Sequence, residues 1–236
     1  MRLINWNIER NRPQSAKALS LMAEIGSLSP DLICLTEAWE SSLESLAGHV
    51  LTANGVPWSQ QDAGERKVVL WSATPWTSLD RMEPVSAFGG AVSGITELQG
   101  RSVRIAGLCI PYHMASPFGQ VPKAKPWEQH ERFLHNLGPY LRRWRQEGPM
   151  IVLGDFNRRM PRTYGPKQSY EMLEEAFEGY DIVTRGAVAG VEAATVDHVA
   201  FGGPFQVLSV QGRSAVTPEG LKRTDHFGVV VDIDLK

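Results

Sequence analysis

Eight polar side chains stand at or beside the ends of apolar runs, and between them they carry the chemistry available to this chain. Asn7 closes RLINWN, Glu37 follows LICLT, and His113 lies just beyond GLCIPY. Asp155 and Asn157 follow MIVLG, Asp197 lies within TVDHVAF, and Asp225 and His226 immediately precede FGVVVDI. Where a strand ends, its side chains leave the sheet for solvent or a cleft. Carboxylates with an asparagine are hard oxygen ligands of the kind that hold Mg²⁺ or Mn²⁺. A histidine beside a carboxylate can carry a proton at neutral pH. Taken singly, each residue has a plainer reading. An Asp-x-Asn after a strand makes an Asx-turn, a lone Glu is solvated, and Thr-Asp-His forms a turn that caps the next strand. Their number and common placement favour a site.

Other chemistries find less support. Neither Cys34 nor Cys109 lies near a histidine at zinc-ligand spacing. His130 and His135 are five residues apart on an expected helix, on different faces, and read as surface. There is no G-x-S-x-G, no Walker A sequence, and no G-x-G-x-x-G after a strand.

The elements that must position these residues follow from hydrophobic periodicity. Strands are expected at 2–8, 31–36, 67–73, 90–98, 102–110, 149–154, 195–201, 205–210 and 227–235. Helices are expected at 14–27, after Pro13, at about 127–146, and at roughly 168–178. Gly138-Pro139 is expected to kink or interrupt the second helix. Strand-only stretches separate the helices, which suits an α/β sandwich with largely antiparallel sheets better than strict βαβ alternation. No repeat or flexible linker divides residues 1–236, which read as a single domain.

With 42% hydrophobic and 21% charged residues, the composition excludes intrinsic disorder. A net charge of −2 argues against a protein that coats nucleic acid non-specifically. The charge is nonetheless uneven. Residues 31–65 carry six acids and no Lys or Arg, whereas residues 123–162 carry nine Lys or Arg against four acids. The N-terminus lacks a signal-peptide pattern, no run is apolar enough to span a membrane, and both cysteines sit in apolar runs. These features lead to the expectation of a cytoplasmic protein with buried free thiols, taken as a monomer.

The ordered set WN (6–7), LTE (35–37), GDFN (154–157), VDH (196–198) and TDH (224–226) resembles the endonuclease/exonuclease/phosphatase superfamily, the DNase I-like fold. The resemblance implies a four-layer α/β sandwich with two facing, mostly antiparallel sheets and an active site at one end. It implies Glu37 as metal ligand, with Asn7 and Asp225 beside it and Mg²⁺ or Mn²⁺ as cofactor. It also implies that Asp155 orients or deprotonates the attacking water, that Asn157 steadies the phosphate or nucleophile, and that His226 is the catalytic histidine paired with Asp197. His113 falls where relatives carry a phosphate-contacting His or Tyr, and Tyr112 competes for that place.

The implied reaction is hydrolysis of a phosphodiester by in-line attack of water, most simply by a nuclease acting on DNA or RNA. Arg10, Arg158 and Arg159 adjoin the motifs and are expected to grip phosphates, with Arg12 and Arg162 nearby. Lys123, Lys125 and Trp127 form a basic-aromatic stretch suited to a single strand or an end, unless Trp127 simply begins the helix's apolar stripe. The sequence departs from the best-known branches. Ile8-Glu9-Arg10 follows WN in place of an Asn-Gly stretch, and the signature Trp-Cys-Asp-Arg of inositol polyphosphate phosphatases is missing. A small-molecule or lipid phosphoesterase is the alternative, and an inactive binding module a remote one.

Overall fold

The computed structural model describes residues 1–236. Fourteen strands and four α-helices occur in the order β1 (Arg2–Asn7), α1 (Ala16–Ser27), β2 (Leu32–Trp39), β3 (His49–Ala53), β4 (Glu65–Ser72), β5 (Thr77–Asp80), α2 (Glu83–Ser86), β6 (Gly90–Leu98) and β7 (Arg101–Cys109). They continue with α3 (Glu128–Glu147), β8 (Met150–Asp155), α4 (Lys167–Ala176), β9 (Asp181–Ile182), β10 (Ala187–Val188), β11 (Ala193–Ala194), β12 (Asp197–Gly202), β13 (Phe205–Arg213) and β14 (Gly228–Leu235). One six-stranded sheet runs β13-β14-β1-β2-β4-β3, and the other runs β5-β6-β7-β8-β12-β9. Each sheet is antiparallel apart from one parallel pair, β1 with β2 and β7 with β8. A parallel pair needs a crossover, and α1 and α3 supply the two.

Strand alternation builds the layers. In β1, Leu3 joins the core between the sheets, whereas Ile4 and Trp6 join Leu21 and Ile25 of α1 on the outer face. In β8, Ile151 and Leu153 face inward while Met150 and Val152 pack under α3 and α4 with Phe133, Leu137 and Leu173. Both faces of β1 and of β8 are therefore buried, as expected for sheets covered on both sides. The result is the α/β/β/α sandwich expected from the sequence.

Three local expectations need correction. His130 is fully buried, and its Nδ1 donates to the Pro111 carbonyl at 2.7 Å, because the helix packs with this side against the sheet. Helix α3 runs through Pro139 without a break. The proline lies on the exposed side, where water can satisfy the carbonyl it leaves unpaired. The edge strands β3 and β5 lie outside the expected set, because HVLTA and TSLD lack a clean apolar alternation. Both cysteines are free and buried, and burial pushes their thiols up. No helix is long and apolar enough to cross a membrane.

Candidate active site

The alternation that buries Leu3 also sends Asn5 and Asn7 toward the opposite sheet. Asn5 is fully buried and donates to the carbonyls of Gly154 and His198, at 3.0 and 3.1 Å, which ties β1 to β8 and β12. Two residues on, Asn7 donates to Asp155 Oδ2 at 3.0 Å. The first expected site residue thus reaches the fourth across the sandwich. Asp155 ends β8 and Asp197 begins β12, and the register places them directly opposite each other, which puts both carboxylates on the inner face.

His226 completes the cluster. Its Nδ1 donates to Asp197 Oδ2 at 2.6 Å, and its backbone carbonyl accepts from Trp6 Nε1 at 3.0 Å. Ligating atoms of Asp155, Asp197 and His226 all lie within 4.8 Å of one another. Burial opposes a charge on His226, but Asp197, Asp155 and Asp225 outweigh it and raise its pKa to about 10. The imidazolium is therefore the resident form at neutral pH. Burial and the facing Asp197 push Asp155 up to about 7, partly countered by His226, by the Asn157 N–H and by Asn7. The His226–Asp197 hydrogen bond takes up Nδ1 and Oδ2 and leaves Asp197 Oδ1 buried without a partner.

Glu37 belongs to a second, oxygen-rich corner. Its φ of +47° turns it out of the β2 alternation, and Lys67 Nζ and Arg10 Nε stand 3.6 and 3.8 Å from its carboxylate. No hydrogen bond occupies its oxygens at closer range. Glu9, Arg10 and Asn157 share this left-handed backbone, with φ of 52° each. Such residues cost roughly 1–2 kcal/mol apiece and concentrate at functional sites. Hydrogen bonds hold them: Glu9 N to Asn7 Oδ1 at 2.9 Å, Arg10 N to the Glu37 carbonyl at 2.6 Å, and Asn157 N to Asp155 Oδ1 at 2.8 Å. Asp225 is more than half exposed, and the preceding Thr224 donates to the Asn7 carbonyl at 2.9 Å, which brings all three oxygen donors to one end of the sandwich.

The remaining expected residues divide. Asn157 donates to the Ile110 carbonyl and to Asp155 Oδ2, at 2.9 and 3.1 Å, so its amide serves the carboxylate instead of reaching outward. Arg159 is exposed and lines a cleft with Asp197, Asp225 and His226. Arg10 donates to Ser59 Oγ at 2.7 Å beside Glu37. Tyr112 and His113 are exposed on the loop after β7, their rings 6.2 Å apart.

Arg158 is the clear correction. It is 1% exposed, donates to the carbonyls of Tyr164 and Pro166 and to Ser169 Oγ, and lies over the Trp127 ring at 4.2 Å. A guanidinium so occupied pins the 164–169 segment and is not available to clamp a phosphate. Lys67 lies outside the expected set. It is 3% exposed, set against Glu37 and over the Trp58 ring at 3.6 Å. Nothing in KVVLWSA separates it from an ordinary strand-end lysine.

A two-sheet sandwich that gathers these acids, asparagines and a histidine at one end defines the DNase I-like class of phosphoesterase folds. The chain belongs to the endonuclease/exonuclease/phosphatase family, whose model matches residues 4–226. The catalytic domain of human Nocturnin, with bound sulfate, superposes with a TM-score of 0.71 at 18% identity, covering 100% of this chain and 93% of that one. An AP endonuclease from Archaeoglobus fulgidus gives a TM-score of 0.71 at 12% identity over 100% of both chains. D. rerio TDP2, complexed with a single-strand DNA product, gives 0.64 at 12% identity over 99% and 98%. At these identities the likeness is one of fold. The comparison with curated proteins found no match.

Proposed function

We propose that this protein is a divalent-metal-dependent phosphodiesterase that hydrolyses nucleic acid by in-line attack of water. The observation that carries the reading is the meeting of Asp155, Asp197 and His226 within 4.8 Å, with His226 hydrogen-bonded to Asp197 and Asn7 to Asp155. Phosphoryl transfer adds charge to the phosphoryl and leaving oxygens. His226, kept protonated and oriented by Asp197, offers its Nε2–H to those oxygens without further reorganisation. Asp155, with a pKa near 7, suits a general base that accepts the proton of the attacking water, work typically worth 10²–10⁴-fold. Asn7 and Asn157 fix the rotamer of that carboxylate from either side.

The residues fit a hard cation. Glu37 has no hydrogen bond on its oxygens, and Asp225 has only long contacts, from Thr224 at 3.5 Å and His226 Nε2 at 3.9 Å. Glu37, with Asn7 and Asp225, would hold Mg²⁺ or Mn²⁺, and the ion would neutralise charge on the phosphoryl group.

The test is hydrolysis by the purified protein, with Mg²⁺, Mn²⁺ or EDTA, of plasmid, single-stranded DNA, RNA, inositol phosphates and sphingomyelin. Metal-dependent cleavage of a nucleic acid is expected. Turnover of the inositol phosphates or sphingomyelin alone would establish the second reading, a small-molecule or lipid phosphoesterase, which the net charge of −2 favours. Full turnover in EDTA would refute the role given to the metal.

A further inference from the structure

Along one side of the site the aromatic rings form an unbroken arc. Trp58 lies 5.6 Å from Tyr112, Tyr112 is 6.2 Å from His113, His113 is 5.7 Å from Trp127, and Trp127 is 5.9 Å from Tyr164. Both ends of the arc are fastened to the site. At one end Lys67 bridges the Trp58 ring and Glu37. At the other, the Tyr164 hydroxyl donates to the Asn157 carbonyl at 3.2 Å. The middle is fastened too, since Asn157 donates to the Ile110 carbonyl two residues before Tyr112.

Trp127 is buried and holds the arc together, with Arg158 over its ring and the His113 carbonyl accepting from its N–H at 2.7 Å. Tyr112 and Tyr164 are 38% and 39% exposed, and His113 is exposed between them. Exposed aromatic rings held rigid by their neighbours are unusual on a protein surface, where large apolar groups cost solvation without return. Lys123 and Lys125 are exposed on the same loop, and Arg159 is exposed on the loop after Asn157, so the segments that carry the rings also carry cations. Rings beside cations suit a chain of flat bases on a phosphate backbone. Base pairs in a duplex present no free faces, so the usable ligand is unpaired.

We infer that this arc is a stacking platform for the unpaired bases of a single-stranded nucleic acid, seating the strand so that one phosphodiester falls against Asp155 and His226. This inference rests on the nuclease reading and names its substrate class.

The experiment measures binding in EDTA, without turnover, by fluorescence anisotropy at fixed salt. The probes are a short oligothymidylate, a base-free deoxyribose-phosphate oligomer of the same length, and a duplex. The wild type should bind the oligothymidylate at least about fivefold more tightly than the base-free strand for each base stacked. Tyr112→Ala with Tyr164→Ala should erase that preference, whereas Tyr112→Phe with Tyr164→Phe, which keeps both rings, should retain it. Equal wild-type affinity for the two strands, or a preference that survives the alanine pair, overturns the platform, as does binding to sphingomyelin vesicles in place of strands. Cleavage with Mg²⁺ or Mn²⁺, read in parallel, separates the two ideas. Base preference without cleavage of any nucleic acid sinks the nuclease reading and leaves the platform standing, and cleavage without base preference does the reverse.

Discussion

Replacing Arg158 with alanine distinguishes a phosphate clamp from a structural pin. The guanidinium makes three hydrogen bonds, at 2.9 Å to Tyr164 O, 2.7 Å to Pro166 O and 3.1 Å to Ser169 Oγ. Truncation leaves the Tyr164 carbonyl without its partner, and the Pro166 carbonyl and Ser169 hydroxyl, which keep a 3.2 Å hydrogen bond to each other, one partner short, at about 1–3 kcal/mol for each group that stays unsatisfied. It also removes the cation–π contact with Trp127, worth roughly 0.5–2 kcal/mol. Such terms overlap and water recovers part of the loss, so about 4 kcal/mol is the reasonable total. For a chain of this size that corresponds to a fall in Tm of roughly 8–16 °C. Arg158→Lys should recover little of it, because a single ammonium cannot span the carbonyls of Tyr164 and Pro166. Arg159→Ala, at an exposed position in the cleft, should leave Tm within about 2 °C. Thermal denaturation followed by circular dichroism, with urea unfolding as a second measure, reads all three variants. An Arg158→Ala protein that melts with the wild type but binds substrate more weakly would refute this account and reinstate the clamp.

Asp155→Asn and His226→Ala should each lower kcat by at least about 10²-fold while staying folded, as groups acting in the transition state do. Near-normal rates in folded variants would reduce both to turn formers. Gly154→Ala should unfold or grossly destabilise the chain, by roughly 3 kcal/mol or more. At its φ of +147° an added Cβ would lie 1.8 Å from the Leu108 carbonyl oxygen of the paired strand, and a folded, active variant seen by urea titration would contradict this. His198 is buried and neutral: its Nε2–H donates to the Arg158 carbonyl, Nδ1 accepts from Thr184, and burial lowers its pKa to about 4. Below pH 6.5 the unfolded chain therefore binds a proton that the folded one does not, and stability drains by about 1.4 kcal/mol per pH unit until pH 4. His198→Gln should be flatter than wild type by that amount in urea unfolding between pH 6 and 4.5, and equal slopes would reject the assignment.

Nine of the strands and the three long helices are legible because their signal is local. The short apolar runs RLINWN and MIVLGD, and the period near 3.6 in α3, are patterns that each segment carries alone. The short edge strands β3 and β5 are not legible, because they gain their pairing from neighbours rather than from their own pattern. The eight candidate residues can likewise be named, since a polar side chain closing a buried strand is itself a sequence feature.

What only the tertiary structure decided is direction and company. Arg158 and Arg159 are adjacent and chemically identical, yet one points into a cage of carbonyls and the other into the cleft. Lys67 and Glu37 are thirty residues apart and meet because β2 and β4 pair antiparallel. The pKa values of Asp155 and His226 arise from contacts between strands far apart in the chain, Asp155 opposite Asp197 and Asp197 against His226. The sequence by itself determined which groups were available and where the strands would present them. Their protonation, their partners and their exposure depend on burial and on long-range pairing, which no local pattern encodes.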